Sequence, residues 1–259
     1  YTFRICTYVP GNAAGQNYIN VIEMRLNEVE NMKVLIIIPA YNEEESIEKV
    51  INNLKQNYSQ YDYVIINDGS HDNTSEICHK NKYKIIDLPV NLGLTGAFQT
   101  GLKYAYKKGY DYAIQFDADG QHRPEFIEPM LNRIKEGYDI VIGSRFINQK
   151  KEKSLRMIGS KMLTVAIKIT TGKRVADPTS GMRMFSHKMI KEFAQNLNYG
   201  PEPDTVSYLL KNGAEISEVP VNMDERVAGE SYLNLTNAAK YMVKMLISIL
   251  FVQNFRKRG

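Results

Sequence analysis

Three short clusters hold most of the groups in this chain that could do chemistry. They are Pro39-Ala40-Tyr41-Asn42-Glu43-Glu44-Glu45, Asn67-Asp68-Gly69-Ser70-His71-Asp72-Asn73-Thr74 and Asp117-Ala118-Asp119-Gly120-Gln121-His122. The last is the most telling. An Asp-x-Asp pair with Gln121 close behind offers hard oxygen donors, which suit Mg2+ or Mn2+ bridging to phosphates. Asp72, just before Thr74, reads instead as an Asx turn or a helix cap, a common use of Asp where a strand gives way to a helix. His71, His79, His122 and His187 do not fall into a ligand set, and His122 reads either as a substrate contact or as a solvent-facing turn residue. Cys6 and Cys78 show neither a CxxC spacing nor a disulfide framework, so they read as inert thiols of a reducing compartment.

The spacing of apolar residues says which elements must position these clusters. Residues 34–38 are a continuous apolar run, as expected of a parallel strand buried on both faces. Further strands are expected over 63–66, 84–88, 112–116 and 140–143. Helical spacing over 43–56, 74–80, 93–107 and 124–135 fills the gaps, the last with Pro124 suited to a first turn. Strand–helix alternation of this kind predicts a parallel α/β sheet with right-handed crossovers. Ligands of such sheets bind beyond the carboxyl ends of the strands. The three acidic clusters each follow a strand, so the fold should gather them into one cleft. Such a cleft would repel an anionic substrate unless a cation stood between them.

The series Pro39-Ala40-Tyr41-Asn42-Glu43, Asn67-Asp68-Gly69-Ser70, Asn91-Leu92-Gly93 and Asp117-Ala118-Asp119 resembles family 2 glycosyltransferases of the GT-A fold. Gly143-Ser144-Arg145, Asp177-Pro178-Thr179-Ser180-Gly181-Met182-Arg183, Glu218-Val219-Pro220-Val221 and Arg226-Val227-Ala228-Gly229-Glu230-Ser231 are similar to the dolichyl- and polyprenyl-phosphate sugar synthase branch. The resemblance covers residues 32 to about 232. It implies a Rossmann-like, mostly parallel sheet flanked by helices, and an inverting hexosyltransferase. It further implies a nucleotide-sugar pocket from Pro39, Ala40, Tyr41, Glu43, Asp68, Asp117 and Ala118, with Arg145, Arg183, Arg226 and Ser231 near the phosphates. Asp117, Asp119 and Gln121 would hold Mg2+ or Mn2+. The implied donor is a nucleoside-diphosphate sugar, UDP by default with GDP as the alternative, and the implied acceptor is undecaprenyl or dolichyl phosphate. One position departs from the family pattern: Tyr232 stands where Lys is common, and Lys240 and Lys244 are the candidates to replace its phosphate contact.

The leaving diphosphate gathers negative charge as the anomeric bond breaks, and a metal with planar guanidinium forks would stabilise it. A lipid phosphate is already anionic and needs no strong base, whereas a sugar hydroxyl needs one. Asp177 is the expected base or acceptor-positioning group, with Arg183 and Asp119 as its catalytic companions and Glu202 and Asp204 behind it. Two rival readings remain: transfer to a growing cell-surface polysaccharide, and a nucleotide-sugar-binding scaffold that has lost catalysis.

Composition sets the outer limits. The 259 residues carry 33 Lys plus Arg against 29 Asp plus Glu, a net +4, too small a surplus for a nucleic-acid binder. Hydrophobic residues at 43% and charged residues at 24% exclude a mainly disordered chain. The longest strongly apolar stretch, 245–252, is too short to cross a bilayer. Residues 1–31 read as a leader or upstream extension without assigned function, 32–232 as the catalytic domain, and 233–259 as an amphipathic helix with a basic tail, Arg256-Lys257-Arg258. Residues 153–171 carry a second apolar stripe with Lys161 and Lys168 among its polar positions. Such helices suit core packing or a headgroup interface. The expected place is therefore cytoplasmic, on the inner face of the cell membrane, through peripheral lipid contact or a small membrane-protein partner.

Overall fold

The structure, a computed structural model, describes residues 32–147, 155–196, 199–224 and 235–255. The leader, Arg226, Ser231, Tyr232 and the basic tail lie outside the described residues. The first strand β1 (Val34–Ala40) is followed by helix α1 (Ile47–Asn57), β2 (Asp62–Asn67), α2 (Thr74–Lys80), β3 (Ile85–Asp87), α3 (Gly93–Lys108) and β4 (Tyr112–Gln115). A single 3-10 turn, Pro124–Phe126, then leads into α4 (Ile127–Ile134) and β5 (Ile140–Ser144). The second half contains α5 (Leu155–Thr171), β6 (Arg183–Ser186), α6 (His187–Gln195), α7 (Pro203–Lys211), β7 (Ile216–Pro220) and α8 (Leu235–Leu250).

The strands form a seven-stranded sheet in the order β3-β2-β1-β4-β6-β5-β7. β1 pairs in parallel with β2 and β4, β2 with β3, and β5 with β7. β6 alone runs antiparallel, between β4 and β5, with Arg183 opposite both Gln115 and Ile142. That reversal matters for the site. The start of β6, with the loop before it, lies at the same edge of the sheet as the carboxyl ends of β4 and β5.

Alternation along β1 separates two apolar layers, as successive strand side chains must point to opposite faces. Leu35 and Ile37 join Phe98, Leu102, Leu163, Phe185 and Ile249 on one face. Val34, Ile36 and Ile38 join Ile47, Ile51, Ile127 and Met184 on the other. Burying each such side chain contributes roughly 1.5–3 kcal/mol relative to leaving it exposed. Helix α3 comes unusually close to β1: a Cβ on Gly101 would stand 2.2 Å from Ile37 Cγ2. A side chain there would push the helix off the sheet.

The helix expected over 43–56 begins only at Ile47. Residues 43–46 form the turn that leads into it, with the Ser46 and Ile47 N–H groups donating to Glu43 O at 3.1 and 2.9 Å. The Glu43 N–H donates to Thr74 Oγ1 at 2.8 Å and the Glu44 N–H to Asp72 Oδ2 at 3.1 Å. Helix α5 and helix α8 cross where a Cβ on Gly159 would meet Met242 Cγ at 2.8 Å. The stripe of Met245 and Ile249 that the sequence offers on α8 faces inward and is buried, while Val243 and Ile247 on its other side are exposed.

Candidate active site

The carboxyl ends of β1 and β2 are laced together by side chain–backbone hydrogen bonds. Asn42 adopts a positive φ of 55°, and its N–H donates to Ser70 Oγ at 3.0 Å while its Oδ1 accepts the His71 N–H at 2.9 Å. Asp72 Oδ1 accepts both the N–H and the hydroxyl of Thr74, at 3.0 and 2.6 Å, the Asx-type use expected of it. Asp68 is buried, and its Oδ1 accepts the Leu92 N–H at 2.7 Å, tying the Asn91-Leu92-Gly93 turn to the end of β2. Gly69, at φ +68°, permits that approach, since a Cβ there would lie 2.8 Å from Asn91 N. Glu43 accepts the Ser46 hydroxyl at 2.6 Å. Pro39 and Ala40 finish β1 beside Ile66 and Asn67, and Tyr41 is left exposed, edge-on to His71. Pro39, Ala40, Tyr41, Glu43 and Asp68 thus lie on or beside one loop pair.

Next along the sheet, the Phe116 N–H still donates to Ile37 O at 3.0 Å, so Asp117 leaves β4 alongside the end of β1. Asp117 keeps 33% of its side chain exposed. Ala118 and Asp119 are buried, and Asp119 Oδ1 accepts the Gln121 N–H at 3.0 Å. His122 is no solvent-facing residue: it is buried, its Nδ1 accepts the Asp117 N–H at 2.8 Å, and its Nε2 lies 3.4 Å from Asp117 Oδ2. Among the described residues no group of three or more His, Cys, Asp and Glu could hold a metal ion. The donors are two carboxylates and an amide, which fits an ion that completes its shell with substrate phosphates, the usual habit of Mg2+. The residues therefore fit a metal shared with a diphosphate, not a metal caged by protein alone.

The loop before β6 closes the site. Arg183 is buried, and its guanidinium donates from Nε to Ser180 O at 2.8 Å and from Nη2 to Pro178 O at 2.7 Å. It therefore holds that loop from within, while its Nη1 has no hydrogen-bond partner among the described residues. Burial pushes the Arg183 guanidinium below its usual range, opposed by the nearby Glu202, Tyr241, Asp177 and Asp204. Asp177 is 0% exposed, and Arg145 grips it in a fork, Nε to Oδ2 at 2.7 Å and Nη2 to Oδ1 at 2.8 Å. The Arg145 N–H and the Thr179 hydroxyl also donate to it, each at 3.1 Å. Glu218 on β7 accepts the N–H groups of Ala176 and Asp177 at 2.7 and 2.8 Å. Gly181 brings the loop onto the Asp-x-Asp carboxylate: a Cβ there would lie 3.2 Å from Asp117 Oδ2.

Behind the loop, Tyr241 of α8 donates to Glu202, and Ser248 donates to Asp204 at 2.6 Å. Burial, with the Glu202 charge beside it, raises the Tyr241 hydroxyl far above its ordinary range. Glu202 and Asp204 thus anchor α8, where the sequence offered them as reserve bases. Arg226 and Ser231 lie outside the described residues. Gly181 and Glu218 were given no individual role from sequence, and His122, read there as a substrate contact or a turn residue, is buried against Asp117 instead.

A strand-end loop pair, an aligned Asp-x-Asp and a guanidinium held over a third loop make an arrangement that comparisons with known proteins can test. The family profile described as Glycosyl transferase family 2 matches residues 35–193. The UDP-N-acetylglucosamine–dolichyl-phosphate N-acetylglucosaminyltransferase of Methanococcus voltae is 36% identical over 215 residues, covering 73% of this chain and 84% of the relative. The undecaprenyl-phosphate mannosyltransferase of Micrococcus luteus is 29% identical over 216 residues, covering 78% and 88%. Among solved structures, glucosyl-3-phosphoglycerate synthase of Mycobacterium tuberculosis, crystallised with Mn2+, UDP and phosphoglyceric acid, superposes with a TM-score of 0.68 at 18% identity, covering 94% of this chain and 84% of that one. At that identity the likeness speaks for the GT-A fold, and the sequence match, which takes in both β1 and the Arg183 loop, speaks for the family: the chain belongs to glycosyl transferase family 2.

Proposed function

We propose that the protein transfers a sugar from a nucleoside-diphosphate sugar to a polyprenyl phosphate, with inversion at the anomeric carbon. The observation that carries this is the Arg145 fork, fixed by Asp177 on the same loop whose Gly181 abuts Asp117. One metal carboxylate, Asp117, and a guanidinium for phosphate oxygens thereby meet the same short loop. The relatives named above act on dolichyl and undecaprenyl phosphates, which favours the same acceptor class here. UDP is the favoured base, after the Methanococcus relative, with GDP as the alternative.

Asp117, Asp119 and Gln121 are the residues that would hold Mg2+ or Mn2+, which would neutralise charge on the diphosphate as it leaves. The chain's own residues do the rest. The loops around Tyr41, Glu43 and Asp68 seat the nucleoside, and the Arg145 guanidinium meets the diphosphate oxygens. The acceptor phosphate oxygen attacks the anomeric carbon from the side opposite the leaving group, whose oxygen keeps the electrons of the broken bond. No proton need be removed, because a phosphate monoester is already anionic. Asp177, buried and with its oxygens occupied, serves here as the residue that positions Arg145, not as a base. Arg183 holds the loop in shape, with Arg226 and Ser231 proposed as further phosphate contacts.

An apolar groove of about 750 Å³ runs along α8, lined by Val243, Ile247 and Val252 together with Lys240 and Lys244. It supports peripheral contact with a bilayer from which the lipid acceptor is drawn, with Lys240 and Lys244 beside the anionic headgroups. Among the described residues no helix is long and apolar enough to cross a membrane. A panel of UDP- and GDP-sugars, assayed with polyprenyl phosphate and Mg2+ or Mn2+, tests the proposal. Labelled sugar should partition into the organic phase and be released by mild acid. Label that stays with a water-soluble glycan, or no turnover with any donor, would overturn it.

A further inference from the structure

We propose that His122 is a positioning residue that presents the Asp117 carboxylate to the metal; the inference rests on the reading of Asp117 and Asp119 as metal ligands. A histidine directly after Asp-x-Asp-Gly-Gln could have pointed to solvent or to substrate. It does neither. The ring is 4% exposed and turned back on its own loop. Its Nδ1 accepts the Asp117 N–H at 2.8 Å, and an accepting ring nitrogen carries no proton. The ring proton therefore sits on Nε2, which is 3.4 Å from Asp117 Oδ2. One imidazole thus meets the same aspartate at its main chain and at its carboxylate.

The ring itself is fixed from two sides. Phe116 meets it edge to face, with centroids 5.4 Å apart and the planes at 72°. Gly181 backs it from the loop before β6, where an added Cβ would lie 3.5 Å from His122 Cε1 and 3.2 Å from Asp117 Oδ2. Asp119 is held by a separate contact from the Gln121 N–H. The Asp117 carboxylate thus has the His122 ring beside it to set its aim. A ligand held in its binding rotamer loses less freedom when the metal arrives. Partners of this second kind, which orient a ligand and do not touch the metal, typically change metal affinity or activity by about 10–100-fold.

The test is Mn2+ binding in the presence of UDP, followed by the electron paramagnetic resonance signal of free Mn2+. His122→Phe keeps a ring against Phe116 but has no nitrogen. His122→Gln can place an amide N–H near the Nε2 position. His122→Phe should weaken Mn2+ binding about 10–100-fold, and His122→Gln should recover most of that loss. In turnover, the Mn2+ concentration needed for half-maximal rate should rise in His122→Phe, with kcat at saturating Mn2+ within a few-fold of wild type. If His122→Phe does not fold, His122→Asn, which can accept the Asp117 N–H but lacks the distal donor, replaces it in the comparison. Wild-type Mn2+ affinity in His122→Phe, or an equal loss in Phe and Gln variants, overturns the positioning role alone. A wild-type protein that binds no Mn2+ with either UDP or GDP overturns the metal reading, and the proposal with it.

Discussion

Asp177 and Arg145 show how a residue's neighbours can change the role that its type suggests. An aspartate after a strand invites the role of base, but a carboxylate with 0% exposure, gripped by a guanidinium fork and a hydroxyl, has no room for an acceptor proton. Asp177→Asn should lower kcat on the order of 100-fold by releasing Arg145, as small misplacements of a positioning group do. The acid limb of the pH–rate profile should stay where it is in wild type; its disappearance would make Asp177 a base after all. Asp119→Ala should abolish turnover by removing a metal ligand, and leave the circular dichroism spectrum near wild type. Away from the site, burial raises the Cys78 thiol to about 11, with the Asp87 charge adding to it. A raised thiol pKa keeps the proton on the folded chain after the unfolded chain has lost it. The contribution of Cys78 to stability is therefore complete below pH 9.0 and declines as pH rises toward about 11. Melting curves across that window should fall less steeply in Cys78→Ala. Cys78 should also resist alkylation at pH 8 until denaturant is added. What sequence could say about these residues was their type and spacing; it could not say that His122 is buried or that Asp177 is saturated, because both depend on the loop before β6 folding over them.

Helix α3 rests on β1 through a glycine, and that contact sets the first of the loops that build the site. Gly101→Ala would put a methyl 2.2 Å from Ile37 Cγ2, so the helix or the strand must shift. Overpacking of this kind costs about 1–3 kcal/mol. The melting temperature should drop accordingly, and nucleotide binding should weaken with it, because Leu92 at the entry to α3 holds Asp68. An unchanged melting temperature would mean that the helix has slack the close contact does not suggest. The elements of the first half were legible because their periods are unmistakable: β1 is apolar on both faces, and α1 buries Ile47, Val50, Ile51 and Leu54 at helical spacing. The second half was legible as motifs and as the apolar stripes of α5 and α8, but not as β6, α6, α7 or β7. β6 has four residues, too few to show alternation. α7 buries Asp204, Thr205 and Ser207 alongside Val206, Tyr208 and Leu209, so it has no polar face from which a period could be read. Its polar groups are inside because Ser248 of α8 and Gln253 in the turn after it bond to them. A partner that distant in sequence leaves no local trace.

Across the whole molecule, exposed apolar residues concentrate on α5, α8 and the turn after α8. Met162, Val165 and Ile169 stand outward on α5, Val243 and Ile247 on α8, and Phe255 beyond it is 83% exposed. Lys161, Lys168, Lys240 and Lys244 are exposed on the same two helices, and neither helix contains an acidic residue. Apolar side chains interspersed with cations and free of carboxylates suit an anionic headgroup layer better than a second protein surface of mixed charge. Each lysine near such a surface is worth on the order of 1 kcal/mol, or about fivefold in affinity. Lys240→Glu with Lys244→Glu should therefore weaken binding to vesicles containing anionic lipid by at least about 25-fold. Binding of the wild type should also fall as salt rises, since exposed charges are screened within about 10 Å at 0.1 M ionic strength. Substitution is the better test than deletion of α8, because Met245 and Ile249 are buried in the core with Leu163 and Ile167 and removing them would open it. Sugar transfer to a short, water-soluble prenyl phosphate should survive the double charge reversal, while transfer to polyprenyl phosphate in vesicles should fall with the binding. If both activities fell together, the lysines would be acting on the acceptor phosphate at the site; if vesicle binding were unchanged, the two-helix face would not be what meets the membrane.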